Sequence, residues 1–286
     1  MSYAYPFGKV YETAPVHNSN HEATVIMLHG LGDTGEGWSF TGQQLQIPGV
    51  KWLYPTAPTR PISCNMGMAM PGWFDIKDLP LDATRIESAE EVSKEDMDKH
   101  IGEEGVKDSV KYCLELVKKE IEVAGIPPEK IILGGFSQGG HVAARAALEC
   151  DVKLAGCVVL SSWVGSFFGG NGANSALPFF VGHGDADPMV PVALGQKSNA
   201  FLSKLGHDVT FRTYRGIGHS CSMEELDDMK DFLVQRLQGS GGPKLAFEEA
   251  SQLSVGKLKK YLVEAGVDVT GCLEKSDLLE KLKGLY

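Results

Sequence analysis

The sequence predicts an α/β protein: a mostly parallel sheet with helices on both faces, followed by a small helical module at the C-terminus. Three observations predict it. Apolar runs of strand length alternate with helix-patterned segments through the first 238 residues, as a parallel sheet with helical crossovers requires. The chain has 286 residues, of which 43% are hydrophobic and 22% charged, enough for one large domain plus something small. The character then changes at Gly239, where GSGGP reads as a flexible linker.

The expected strands are 23–28, 50–54, 131–136, 156–160, 177–181 and 209–214. Between them, 105–124 has the pattern of a long helix stopped by Gly125 and Pro127, and 191–205 of another stopped by Gly206. A third helix starts where Ser222 is followed three residues later by Glu225, a capping-box spacing, and runs to about Leu237. These elements make up a domain over 1–238, with 239–243 as linker and 244–286 as a separate module. In that module Leu253, Leu258, Tyr261 and Leu262 share one helical face, Gly266 interrupts it, and Leu278, Leu279 and Leu282 begin a second, so a helical hairpin is expected. Residues 82–98 are polar and acidic, readable as a solvated insertion or as a lid over a substrate groove.

Charge and cysteine usage exclude several function classes. The formal charge is -10, which repels nucleic acid and anionic membrane surfaces. The last 44 residues carry seven basic and seven acidic side chains, so the whole excess belongs to the first 242. The N-terminus has no basic flank and apolar core of signal-peptide type, no stretch is long enough to span a bilayer, and Ser2 stands where myristoylation needs glycine. Cys64, Cys113, Cys150, Cys157, Cys221 and Cys272 form no CxxC pair, so reduced thiols in a cytoplasmic compartment are expected, with no metal site.

The chemistry concentrates where KIILGGFSQGG passes from a strand into the alanine-rich helix HVAARAAL. A serine at that tip needs strained backbone angles to raise its hydroxyl above the sheet. Side chains at positions 135 and 139 would then strike neighbouring backbone, and both are glycine. This GxSxG elbow marks the α/β-hydrolase fold, whose triad follows in the order Ser, Asp or Glu, His. Alone the pentapeptide arises by chance in roughly one chain in ten of this length, and a serine there also serves as a turn or helix cap, so its context decides. ALPFFVGHGDADPMVP ends a strand in two carboxylates, Asp185 and Asp187, the latter equally able to cap the following helix. FRTYRGIGHSC places His219 after the last strand, and ATVIMLHGLGDTGEGW ends another strand in a glycine-rich turn. There the amide of Leu31 can meet the amide of Gln138 at one oxygen, forming an oxyanion hole. Open α/β sheets build their sites at this edge.

HGLGDTGEGW, PTAPTRP, NMGMAMPGWFDI, KIILGGFSQGG, HGDADPMVP and YRGIGHSC resemble, in order and spacing over residues 7–238, the acyl-protein thioesterase family of small α/β-hydrolases, also called lysophospholipases or carboxylesterases. The resemblance implies Ser137 as nucleophile, Asp187 rather than Asp185 as triad acid, His219 as base, and the Leu31 and Gln138 amides as the oxyanion hole. It implies acyl transfer to water through a covalent serine ester, with S-acylated proteins, lysophospholipids or simple esters as substrates and no cofactor. Met66, Met68 and Met70, Trp73 and Trp163 are the apolar residues nearest these motifs, with Met70, Trp73 and Trp163 the substrate-contact candidates; a buried face of an extended segment explains the methionines equally well. Palmitoylated family members carry an N-terminal cysteine, absent here before Cys64, and the segment after Asp75 is longer and more acidic than usual. The tail resembles a SAP-like helix-loop-helix, with a passive appendage and a protein-binding module as its two readings.

Overall fold

The protein is described by a computed structural model covering residues 3–16, 19–78, 100–165, 172–238, 247–264, 267, 269–272 and 274–283. The acidic segment 82–98 and the linker 239–243 lie outside the described residues. The chain divides into two compact units, Met1–Lys230 and Asp231–Tyr286, and the division falls inside the helix that precedes GSGGP.

In chain order the first unit contains β1 (Val10–Thr13), β2 (Ala23–Leu28), α1 (Gly35–Trp38), α2 (Phe40–Leu45), β3 (Val50–Pro55), β4 (Thr59–Ile62), β5 (Met68–Pro71), α3 (Glu103–Glu122), β6 (Ile131–Phe136), α4 (Gln138–Glu149), β7 (Gly156–Leu160), β8 (Phe179–Gly184), α5 (Val192–Lys204), β9 (Val209–Tyr214) and the start of α6 (Met223–Gln238). Seven strands form one sheet in the order β1-β3-β2-β6-β7-β8-β9. Every pairing is parallel except the β1–β3 edge, and β4 and β5 form a separate antiparallel hairpin. β2, β7 and β8 are buried along their whole length, as central strands covered on both faces must be.

On one face Ile26, Leu133, Val159 and Val181 pack with Val110 and Val117 of α3, Val142 and Ala146 of α4, and Leu194 and Leu202 of α5. Alanines at 143, 144, 146 and 147 are all buried, which lets α4 lie close against the sheet. Leu53 of β3 joins this cluster. Strand alternation turns Trp52 and Tyr54 the other way, where the Tyr54 hydroxyl meets Thr41 Oγ1 at 3.0 Å and accepts from the Gly42 amide at 2.8 Å. Layers on both faces result.

The register sets the site's position. Leu28 pairs with Gly135, Phe136 with Leu160, and Gly184 with Tyr214. The C-terminal ends of β2, β6, β8 and β9 therefore form one edge, and His29, Ser137, Asp187 and His219 all leave the sheet there. Beyond the end of α6, the described residues of the second unit form α7 (Phe247–Ser251), α8 (Val255–Glu264) and α9 (Lys275–Lys283), three helices where the sequence predicts a hairpin. Ala250, Leu258, Leu262, Leu278 and Leu282 form its own buried core.

Candidate active site

Ser137 sits between β6 and α4 with φ 52° and ψ -120°, a conformation that costs a non-glycine residue of order 1–3 kcal/mol and persists only when its surroundings enforce it. They do. The Ser137 amide donates to Leu160 O at 2.8 Å, and its carbonyl accepts from the Ser162 hydroxyl at 2.6 Å. A Cβ on Gly135 would lie 2.6 Å from the Gly140 nitrogen, and one on Gly139 2.6 Å from the His29 carbonyl oxygen. Both glycines are thus demanded by close backbone approach, and α4 turns its positive N-terminal end toward the hydroxyl.

His219 lies in the loop after β9, with Nε2 2.9 Å from Ser137 Oγ and Nδ1 2.7 Å from Asp187 Oδ2. An ionised carboxylate only accepts, so Nδ1 carries the proton and donates it, which leaves the Nε2 lone pair facing the serine hydroxyl. Asp187 is almost fully buried. Burial alone would push its carboxyl up, but donation from His219 and from the Val190 and Met189 amides to its oxygens outweighs this and holds it below the usual carboxylate range. His183, driven down by burial and donating from Nε2 to Val190 O at 2.8 Å, packs behind it as a neutral ring. Asp185 is turned away: its Oδ1 accepts from the Gly216 amide at 2.6 Å.

The turn after β2 is held from several sides. His29 Nδ1 donates to Gly30 O at 2.6 Å, and its Nε2 accepts from the Ala57 amide at 2.9 Å. An imidazole that accepts there is neutral, in line with the lowering that burial gives it. Gly32 takes φ 81° and donates to Pro71 O at 2.8 Å, a left-handed geometry that suits glycine. The fully buried Gln138 side chain accepts from the Trp73 amide and donates to Phe74 O, both at 2.7 Å. The turn, the elbow and the segment after the β4–β5 hairpin are thereby tied together.

A cavity of about 540 Å³ opens beside Ser137 and His219. Leu31, Met70 and Trp163 line it, together with Trp38, Phe136 and Val190. Two expectations are corrected. Trp73 does not line the cavity: it is fully buried, with its indole nitrogen donating to His29 O at 2.8 Å, so it braces the turn from behind. Met66 and Met68 are not one buried face with Met70 but stand 93% and 59% exposed, because Met66 lies in the solvent-facing turn of the β4–β5 hairpin and Met68 opens β5, whose first two residues are exposed. Trp38, Phe136 and Val190 each sit in or beside a motif already singled out, but only tertiary packing brings them to one wall.

The fold and this hydroxyl–imidazole–carboxylate series beside an apolar cavity define an α/β-hydrolase of the serine type. The sequence profile of the Phospholipase/Carboxylesterase family matches residues 15–237, and the chain belongs to that family. Acyl-protein thioesterase 1 of Gibberella zeae is 44% identical over 229 residues, 77% of this chain and 92% of the relative. Acyl-protein thioesterase 1 of Neurospora crassa is 40% identical over 247 residues, 82% and 94% of the two chains. Among solved structures, Zea mays acyl-protein thioesterase 2 superposes with a TM-score of 0.65 at 29% identity, covering 80% of this chain and 99% of that one. Arabidopsis thaliana SOBER1 gives a TM-score of 0.65 at 31% identity over 76% and 99%. A second profile, described as the E3 ubiquitin-protein ligase rififylin-like domain, matches residues 246–286.

Proposed function

We propose that this chain is an acyl-protein thioesterase that removes fatty acyl groups from protein cysteines, with Ser137 as nucleophile, His219 as general base and Asp187 as the acid that orients it. The observation that carries the reading is the unbroken relay of 2.9 and 2.7 Å opening on an apolar cavity large enough for an acyl chain. Ser137 Oγ attacks the thioester carbonyl as Nε2 of His219 takes its proton. The amides of Leu31 and Gln138 meet the developing oxyanion, each such donor being worth about 10²–10³ in rate. The imidazolium then protonates the departing thiolate, and the acyl group remains on Ser137 as an ester. Water attacks that ester with His219 again as base, so fatty acid and free protein thiol are the products and the enzyme is regenerated. Met70 and Trp163 contact the acyl chain in this reading. No cofactor takes part.

Hydrolysis of lysophospholipids or simple esters is the alternative that the same machinery supports, and the family's description covers it. S-acylated proteins are the preferred partners because the similar proteins are acyl-protein thioesterases at 40–44% identity. The described cysteines are all free thiols, which supports a reducing, cytoplasmic compartment. The family match ends at residue 237, so hydrolysis is assigned to the first domain, and the module over 244–286 is read as a passive appendage or a protein-binding module.

A fluorophosphonate probe should label the native chain and not Ser137→Ala. Hydrolysis of a palmitoyl-cysteine peptide should fall about 10⁴–10⁶-fold in that variant and exceed hydrolysis of a lysophospholipid by the native chain. Undiminished labelling of Ser137→Ala would remove the reading, and faster lysophospholipid turnover would transfer it to the alternative.

A further inference from the structure

The peptide that joins Gly30 to Leu31 carries the amide assigned to the oxyanion hole, and its two ends are held differently. The carbonyl end is fixed: Gly30 O accepts from His29 Nδ1 at 2.6 Å and, over a longer 3.3 Å, from the Asp33 amide that closes the turn. The N–H end has no acceptor among the described residues, and both Gly30 and Leu31 border the cavity beside Ser137. A trans peptide is planar, with its N–H pointing opposite to its C=O. Whatever fixes Gly30 O therefore fixes the direction of the Leu31 N–H.

The imidazole is equipped for that task. His29 is fully buried, and because the Ala57 amide can only donate, Nε2 presents a lone pair to it at 2.9 Å. The proton of the neutral ring is then on Nδ1, the nitrogen that faces Gly30 O. Trp73 Nε1 holds the preceding peptide by donating to His29 O at 2.8 Å. Position 30 leaves little room for a side chain, since a Cβ there would lie 3.1 Å from Phe136 Cδ1 and 3.5 Å from Ser137 Cβ. Glycine fits the space but leaves the backbone free to rotate. The restraint it cannot supply comes from the ring.

We propose that His29 is a positioning residue for the oxyanion hole: its imidazole locks the Gly30–Leu31 peptide so that the Leu31 N–H is presented to the cavity beside Ser137. This rests on the reading of Ser137 as nucleophile and of the Leu31 amide as an oxyanion donor. His29 acts through the backbone and touches no reacting atom. Without donation from the ring, Gly30 O keeps only the 3.3 Å contact, and part of the population turns the N–H away. The transition state then loses part of a donor worth about 10²–10³ in rate, whereas the bound substrate, whose carbonyl carries little charge, loses less.

Two amide replacements separate the contacts of the ring. In His29→Asn the side-chain NH₂ takes the place of Nδ1 and can donate to Gly30 O. In His29→Gln the amide reaches the place of Nε2, where it can accept from Ala57 N but cannot donate to Gly30 O. With a short acyl thioester, His29→Gln should lose about 10–100-fold in kcat with KM within about threefold. A trifluoromethyl ketone, which forms a tetrahedral adduct on serine, should bind that variant more weakly by a similar factor. His29→Asn should recover at least about fivefold of the lost kcat, although it leaves Ala57 N without its acceptor and melts no higher than His29→Gln. Equal kcat in the two variants, or losses that follow melting temperature rather than the contact to Gly30 O, overturn the inference. If His29→Gln does not fold, the native chain decides: the Leu31 amide proton should move downfield in NMR spectra when the ketone adduct forms, and an unmoved signal overturns the inference. A native chain with no Ser137-dependent hydrolysis overturns instead the reading on which it rests.

Discussion

Replacing Asp187 by asparagine separates orientation from charge in the proposed relay. Oδ1 of Asp187 accepts from the Met189 and Val190 amides, both at 2.9 Å. An asparagine must keep its carbonyl oxygen there, because the flipped amide would set its NH₂ against two N–H donors, at about 1–3 kcal/mol for each donor left unsatisfied. The NH₂ then falls where Oδ2 now accepts from His219 Nδ1 at 2.7 Å. Two donors cannot share that contact, so Nδ1 gives up its proton and accepts. The ring proton moves to Nε2, which points at Ser137 Oγ across 2.9 Å and has no lone pair left to take the serine proton. The expected loss in kcat is about 10⁴, the scale seen for a wrong tautomer in the serine-protease triad, with little change in KM or melting temperature. Steady-state hydrolysis of a chromogenic short-chain ester measures it, beside a thermal melt. Asp185→Asn is the control: that carboxylate is engaged with the Gly216 amide, and its loss should leave kcat within about threefold. Retention of a tenth or more of native kcat in Asp187→Asn, or an equal loss in Asp185→Asn, would refute the tautomer argument.

Two further predictions concern the elbow and its support. Gly139→Ala places a methyl 2.6 Å from the His29 carbonyl oxygen; since backbone rather than a flexible side chain is in the way, the melting temperature should fall, with destabilisation of several kcal/mol, and urea unfolding would show a shifted midpoint. His141 is fully buried in α4, and burial drives it down to about 3. Its folded value lies below the unfolded one near 6.5, so between those values the unfolded chain binds a proton that the folded chain refuses. Stability must therefore fall as pH drops from about 6.5 toward 3, with a slope from this group of up to about 1.4 kcal/mol per unit. His141→Asn, whose amide can still donate toward Trp163 O, should flatten that slope in urea titrations at pH 5 and 7. Parallel slopes would count against a neutral buried ring.

Much of the sheet was legible because buried strands announce themselves by composition. The runs at 23–28, 131–136, 156–160 and 209–214 recur as β2, β6, β7 and β9 with the same limits. β8 begins two residues later than expected and extends to Gly184, since Gly182 and Gly184 disguise its end; the first of these is glycine because Glu225 lies against it. β1, β4 and β5 were missed. Each has four residues, too few for a periodicity, and Pro61 and Pro71 argue locally against strand. α7, five residues long, is short for the same kind of signal. In the cavity, Met70 and Trp163 were within reach of a sequence argument, whereas Trp73, Met66 and Met68 showed that nearness to a motif in sequence says little about which way a side chain faces.

The choice between the two carboxylates shows where reading the residues stops and only the family resemblance points to Asp187. Asp185 and Asp187 both follow β8, and only the path of the turn decides that one meets His219 and the other Gly216. What the sequence by itself determined was the fold class, the strained serine and the chain order of the three polar side chains, because glycine spacing and apolar runs are local constraints that each segment carries. Tertiary structure alone decided which aromatics wall the cavity and that Glu225 is buried beside β8. Those outcomes depend on distances between segments far apart in the chain, 82 residues for Ser137 and His219, and such distances are set by the parallel register of the sheet, which no single segment encodes.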